Sequence, residues 1–179
     1  GESVIRNVSR CDDTLATMAS LSALGTKFIK EDDNIRACGI DINEASADSE
    51  LFVNESGSTL RFLIPLAYLT DKEITFRGAK RLFERPLSVY QNIADDLGLV
   101  FRPAEDSLTV KGRLTPGEYK IPGNISSQFI TGLLFAVPML DGDSKIVIQP
   151  PFESRPYVDM TIKALESFGV LVEYEDEYT

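Results

Sequence analysis

The sequence predicts an α/β fold in which one strand-and-helix unit recurs about every 70 residues. Three observations carry that prediction. Helical patterns end three times in an apolar residue followed by glycine, at Leu24-Gly25, Leu97-Gly98 and Phe168-Gly169. Short β-prone runs flank each of those helices. Two further segments, Ser58 to Leu69 and Ser127 to Leu140, are apolar nearly all round and carry a late proline.

The first unit opens with Val4-Ile5, then a polar loop and a helix from Thr14 to Leu24 with apolar residues at helical spacing. Gly25 suits the left-handed residue that closes a helix, because it has no Cβ to clash. Lys27-Phe28-Ile29 reads as a strand. The helix from Ser58 to Leu69 is apolar on every side and belongs at the centre of a domain. The second unit follows the same order: strand Ile74-Thr75-Phe76, helix Pro86 to Leu97, Gly98, strand Leu99-Val100-Phe101 and buried helix Ser127 to Leu140. The third supplies strand Ile146-Val147-Ile148, helix Val158 to Phe168, Gly169 and strand Val170-Leu171-Val172. One unit is thus expected to read strand, polar loop, amphipathic helix, glycine, strand, strand, buried helix. We expect one domain over residues 1–179, with repeats at about 1–70, 71–141 and an incomplete 142–179. A repeat that stops after its second strand suggests a piece of a longer chain; a partner subunit or a degenerate last repeat would also account for it.

Composition narrows the chemistry. With 43% hydrophobic and 26% charged residues, the chain reads as globular. A net charge of −10 opposes attraction to nucleic acid or anionic membrane. There is no histidine, so catalytic triads, imidazole proton transfer and histidine-ligated metals are excluded within this chain. Two cysteines, Cys11 and Cys38, do not make a disulfide framework or a metal-ligand pattern, and a reducing cytoplasm is the expected setting. Between Arg10 and the carboxylates Asp12 and Asp13, Cys11 is expected to be inert.

In an acidic protein an anion site must gather its few cations, so basic clusters are the informative ones. Both buried helices begin in small polar residues: Asn54-Glu55-Ser56-Gly57-Ser58-Thr59 and Gly123-Asn124-Ile125-Ser126-Ser127-Gln128. Such helix starts attract phosphate and carboxylate, and equally they are ordinary capping sequences. Their recurrence about 70 residues apart favours a shared cleft. Arg61, one turn into the first buried helix, is either a cation beside a bound anion or half of a buried ion pair with Glu55. The loops Lys80-Arg81-Leu82-Phe83-Glu84-Arg85-Pro86 and Phe152-Glu153-Ser154-Arg155-Pro156-Tyr157 each place arginine before a proline suited to a first helical turn. Arg85 is expected to face the shared cleft, whereas Lys80 and Arg81 read as solvated charges near Glu84.

At these segments the chain resembles the enolpyruvyl transferase family, most closely its shikimate-pathway branch. The matching stretches are Cys11-Asp12-Asp13-Thr14 with Leu24-Gly25, Glu55-Ser56-Gly57-Ser58-Thr59-Leu60-Arg61, Glu84-Arg85-Pro86-Leu87, Gly123-Asn124-Ile125-Ser126-Ser127-Gln128-Phe129 and Ser154-Arg155-Pro156-Tyr157-Val158-Asp159-Met160-Thr161. The resemblance implies repeated βαβαββ units forming an inside-out α/β barrel, with buried central helices and sheets outside. It implies transfer of the enolpyruvyl group of phosphoenolpyruvate to the 5-hydroxyl of shikimate 3-phosphate, releasing phosphate, with no metal or organic cofactor. By the same resemblance Ser126, Ser127, Gln128, Ser154 and Tyr157 would contact shikimate 3-phosphate. Gly57, Arg85 and Gln128 would contact phosphoenolpyruvate, with Arg61 in support. Phe62 stands where some relatives have proline, and Glu55-Ser56 where others have Asn-Ala, which alters the helix start that meets phosphoenolpyruvate.

The resemblance also implies that the chain is most of the N-terminal lobe of a two-lobed enzyme. The family's Lys-Ser motif, expected just upstream of Gly1, and the proton-transfer groups of the other lobe are not in this sequence. No catalytic residue is therefore expected here, and the piece should bind shikimate 3-phosphate without turnover. Two alternatives stand: a piece of a UDP-N-acetylglucosamine enolpyruvyl transferase, and a non-catalytic anion-binding repeat domain. Against the first, no cysteine lies in the Lys80–Arg85 loop, where many members of that branch carry one. For the second, the separating observation is whether Ser126, Gln128, Ser154 and Arg85 meet in one cleft.

Overall fold

A computed structural model of the chain describes residues 1–42 and 50–179. Strand β1 (Glu2–Arg6) leads into helix α1 (Asp12–Ala23), whose first turn carries Asp12 and Asp13 at the positive end of the helix dipole. Strands β2 (Lys27–Glu31) and β3 (Asn34–Cys38) form a hairpin, and β3 lies between β1 and β2 in an antiparallel sheet. Strand β4 (Glu50–Asn54) starts a second sheet and feeds helix α2 (Gly57–Ala67). Because β5 (Ile74–Gly78) runs parallel to β4, α2 is the crossover that such a pair requires. A short helix α3 (Lys80–Phe83) and helix α4 (Ser88–Leu97) follow. The hairpin of β6 (Val100–Pro103) and β7 (Ser107–Lys111) completes a sheet of order β4-β5-β7-β6. Strand β8 (Glu118–Pro122), helix α5 (Ser127–Ala136) and strand β9 (Lys145–Gln149) form a second parallel crossover, and helix α6 (Arg155–Ser167) comes last. Among the described residues no helix is long and apolar enough to cross a membrane.

Alternation in the strands points one face at the core: Leu51 and Val53 of β4, Ile74 and Phe76 of β5, Leu108 and Val110 of β7 are all fully buried. The two crossover helices pack directly on each other. Phe62 meets Phe135 edge to face with ring centroids 5.5 Å apart. Gly132 permits the contact, since a Cβ there would collide with the Arg61 carbonyl and the Tyr90 hydroxyl. Helix α1 docks on this centre through hydroxyls: Thr17 Oγ1 lies 2.7 Å from Thr59 Oγ1, and Ser20 donates to the Phe52 carbonyl.

All three expected helix-ending glycines have positive φ: Gly25 at 114°, Gly98 at 66° and Gly169 at 81°. Each closes its helix with the same paired bonds, the glycine amide reaching three residues back and the next amide five back. Leu99 N to Ala94 O, at 2.7 Å, is the shortest of them.

Four expectations need correction. Val170-Leu171-Val172 is not a strand: the Val170 amide donates to Leu165 O to close α6, Leu171 is 80% exposed, and no strand pairs with the segment among the described residues. Lys80–Phe83 is a short helix rather than an open loop. Pro86 lies outside helix α4, which begins at Ser88, whereas Pro156 does occupy the first turn of α6. Three strands, not two, separate each amphipathic helix from the following buried one, because the returning arm of each hairpin is followed by the strand that feeds the crossover.

Candidate functional site

The two crossover helices present their first turns at one end of the core. Ser56 caps α2 by accepting from the Thr59 amide at 3.2 Å, and Ser126 caps α5 by accepting from the Gln128 amide at 3.3 Å. Both serines thus perform the ordinary capping task, which satisfies amides that a helix start leaves unpaired. Arg61 ties the two starts together, donating from Nη1 to Gln128 Oε1 at 2.8 Å, with the Gly57 carbonyl at 3.5 Å. Its guanidinium lies over the Phe129 ring, 5.1 Å from the centroid.

Arg85, from the segment after α3, reaches the same place. A methyl group added at Gly57 would sit 2.8 Å from Arg61 Nη1 and 3.1 Å from Arg85 Nη1. Gly57 is needed there for space, to let both guanidinium groups close on the backbone. Burial, and then the neighbouring Arg85 charge, depress the Arg61 pKa, and Arg61 Nε is buried without a hydrogen-bond partner. Among the described residues no carboxylate pairs with Arg61; of its two readings, the ion pair with Glu55 does not form, because Glu55 precedes the helix cap and is exposed to solvent. Lys80 pairs with Glu105 across to the β6–β7 turn, not with Glu84.

The second group of expected residues lies on adjoining loops. Gly123 holds the 123–127 segment against the segment before α6: its amide donates to Gln149 O at 2.9 Å and its carbonyl accepts from the Glu153 amide at 3.3 Å. Ser154 stands at the N-cap position of α6 with its hydroxyl unused for capping. Tyr157, in the first turn, is 63% exposed. Ser127 opens α5 beside Gln128. Gly57, Arg61, Arg85 and Gln128 therefore converge, and the segments carrying Ser126 and Ser154 are laced together, with Ser127 at the start of α5. No hydrogen bond joins Ser154 or Tyr157 to the arginine pair among the described residues.

Arg155 stacks over the Tyr174 ring at 4.8 Å, near Asp159. Cys11 is exposed at the N-cap of α1 with Sγ 3.2 Å from Thr14 Oγ1. Hydrogen bonds from Thr14, first through its side chain, lower its thiol pKa. Sequence reasoning passed over Tyr90, a buried aromatic of α4 that reads as plain core. The available signal was Gly132 inside an apolar helix, which marks a close approach.

All of residues 1–179 match the family model described as EPSP synthase (3-phosphoshikimate 1-carboxyvinyltransferase). The 3-phosphoshikimate 1-carboxyvinyltransferase of Clostridium beijerinckii is 44% identical over 178 residues, covering 95% of this chain and 41% of that protein. Its namesake in Clostridium perfringens strain SM101 is 41% identical over 174 residues, covering 96% and 41%. The chain thus spans about two-fifths of the length of these relatives. The 2.37 Å structure of EPSP synthase from Acinetobacter baumannii superimposes with a TM-score of 0.80 over 98% of this chain and 40% of that one. At 19% identity that likeness shows the mixed α/β fold alone.

Proposed function

We propose a role for this chain from one premise: it belongs to the EPSP synthase family. On our reading it is most of the N-terminal lobe of a cytoplasmic 3-phosphoshikimate 1-carboxyvinyltransferase of the shikimate pathway. The parent enzyme would move the enolpyruvyl group of phosphoenolpyruvate to the 5-hydroxyl of shikimate 3-phosphate and release phosphate. The piece alone would hold shikimate 3-phosphate and lack turnover. The element order β4-α2-β5-α3-α4-β6-β7, in which α3 is a single short turn, with β8-α5-β9-α6 after it, supports a repeated βαβαββ unit of the inside-out barrel kind.

The observation that carries the reading is the closure of Arg61 and Arg85 on one point beside Gly57. Like charges held together with a neutral amide as partner are set up to receive an anion, and guanidinium forks match phosphate and carboxylate oxygens. Gly57, Arg85 and Gln128 would take phosphoenolpyruvate there, with Arg61 holding Gln128 in place. Ser126, Ser127, Gln128, Ser154 and Tyr157 would take shikimate 3-phosphate from the adjoining loops.

Calorimetric titration of the purified chain tests this, with shikimate 3-phosphate, phosphoenolpyruvate and UDP-N-acetylglucosamine added separately. Saturable binding of shikimate 3-phosphate and none of the nucleotide sugar is expected. Binding of the nucleotide sugar alone would overturn the assignment, and conversion of both substrates by the chain alone would refute its inactivity.

A further inference from the structure

Tyr90 has no part in the site as described, yet its hydroxyl reaches backbone carbonyls in both central helices. Tyr90 Oη lies 2.8 Å from Arg61 O of α2 and 3.0 Å from Phe129 O of α5, and the side chain is buried. A hydroxyl has one hydrogen to donate. Arg61 O has the stronger claim on it. Inside a helix that carbonyl would accept the amide four residues on, but the residue there is Pro65, which has no N–H and whose ring crowds that same oxygen. The carbonyl is therefore turned towards α5, where Gly132 leaves room for it and for the Tyr90 hydroxyl together.

We propose that Tyr90 is a positioning residue for the Arg61–Gln128 pair, acting through the Arg61 carbonyl that Pro65 leaves without a helical donor. This rests on the reading of Gly57, Arg61, Arg85 and Gln128 as an anion site. Tyr90 bears on that pair from three directions. Its hydroxyl donates to the Arg61 carbonyl and lies 3.0 Å from that of Phe129, the residue after Gln128. Its ring packs edge to face on Phe129 at 5.0 Å, and the Arg61 guanidinium lies over that same Phe129 ring. With the hydroxyl gone, the Arg61 carbonyl has a cost to shed and α2 moves relative to α5, carrying the guanidinium off Gln128.

The test uses the full chain, nitrogen-15 labelled, and reads hydrogen exchange at Arg61 Nε–H by NMR, a group buried in the wild type. Tyr90→Phe keeps the ring and is expected to speed that exchange about tenfold. Adding Pro65→Ala supplies the missing backbone N–H, and the double variant Y90F/P65A is expected to return to the slow wild-type rate. Packing by the ring alone predicts no such rescue. Unchanged exchange in Y90F, no recovery in the double variant, or an equal speeding of the β4 and β5 backbone amides overturns the proposal. Titration with inorganic phosphate is a separate arm: if the wild type does not bind it, the anion-site reading fails, while the exchange rates still decide whether Tyr90 holds Arg61.

Discussion

Arg61 Nη1 donates to Gln128 Oε1 at 2.8 Å, joining the starts of two helices through residues that are 67 positions apart in sequence. The partner is an amide, so the bond orients the guanidinium without neutralising it. Arg85 then brings a second positive group to the same side of Gly57. In a chain of net charge −10 this is a local reversal of sign, and it depends on helix packing more than on any one residue.

Removing Arg85 tests the electrostatic half of that arrangement. The side chain is exposed and outside the core, so Arg85→Ala is expected to leave Tm within about 1 °C. Phosphoenolpyruvate or phosphate affinity should fall about 10- to 100-fold, the range for losing a charge-assisted contact. Calorimetry at two salt concentrations reads it, and the residual binding should depend less on salt.

Gly57→Ala tests the spatial half. The new methyl would meet the ends of two flexible arginines, not backbone, so both can move aside and the fold should keep its stability. Helix propensity even favours alanine by up to about 1 kcal/mol. Affinity for the same anions should nevertheless drop about tenfold, because the guanidinium groups no longer close on the helix start. A loss of Tm without a loss of affinity would contradict this.

What could be read in the sequence was what local geometry dictates. The glycines at 25, 98 and 169 announce helix ends because a positive φ is required there whatever lies nearby. Val170-Leu171-Val172 looked like a strand by composition, but a strand exists only with a neighbour, and composition does not supply one. For Arg61 the sequence leaves two readings open, a cation beside a bound anion or an ion pair with nearby Glu55, and the ion pair is not formed. The true partner, Gln128, becomes adjacent only once α2 and α5 pack. The Tyr90 contact was hidden for the same reason.

Cys11 supplies a pH-dependent test independent of the anion site. Thr14 lowers the thiol pKa by hydrogen bonding to the thiolate, so at neutral pH more of the reactive anion is present than in an ordinary cysteine. Thr14→Val removes the hydroxyl, raises the pKa and should slow iodoacetamide labelling of Cys11 near pH 7. The two rates should converge well above the ordinary thiol pKa of about 8.5, where both thiols are ionised. Parallel pH profiles with no shift in midpoint would rule out the Thr14 contribution.

Gly132→Ala should set two expectations against each other. Helix propensity predicts a gain of up to about 1 kcal/mol for alanine inside α5. The packing predicts the opposite, since the added Cβ meets the Tyr90 hydroxyl and the Arg61 carbonyl at once, and the second of these is backbone that can yield only by moving α2. We expect packing to win, with a net loss of about 2 kcal/mol and a fall in Tm of about 5 °C. Combining it with Tyr90→Phe removes one obstacle and leaves the other, so the double variant should lose less than the two single losses added together. Calorimetric melting of the four proteins measures that coupling. Strict additivity would mean that the methyl and the hydroxyl never compete for the same space, and a rise in Tm for Gly132→Ala would mean that α2 and α5 are not in close contact at this position.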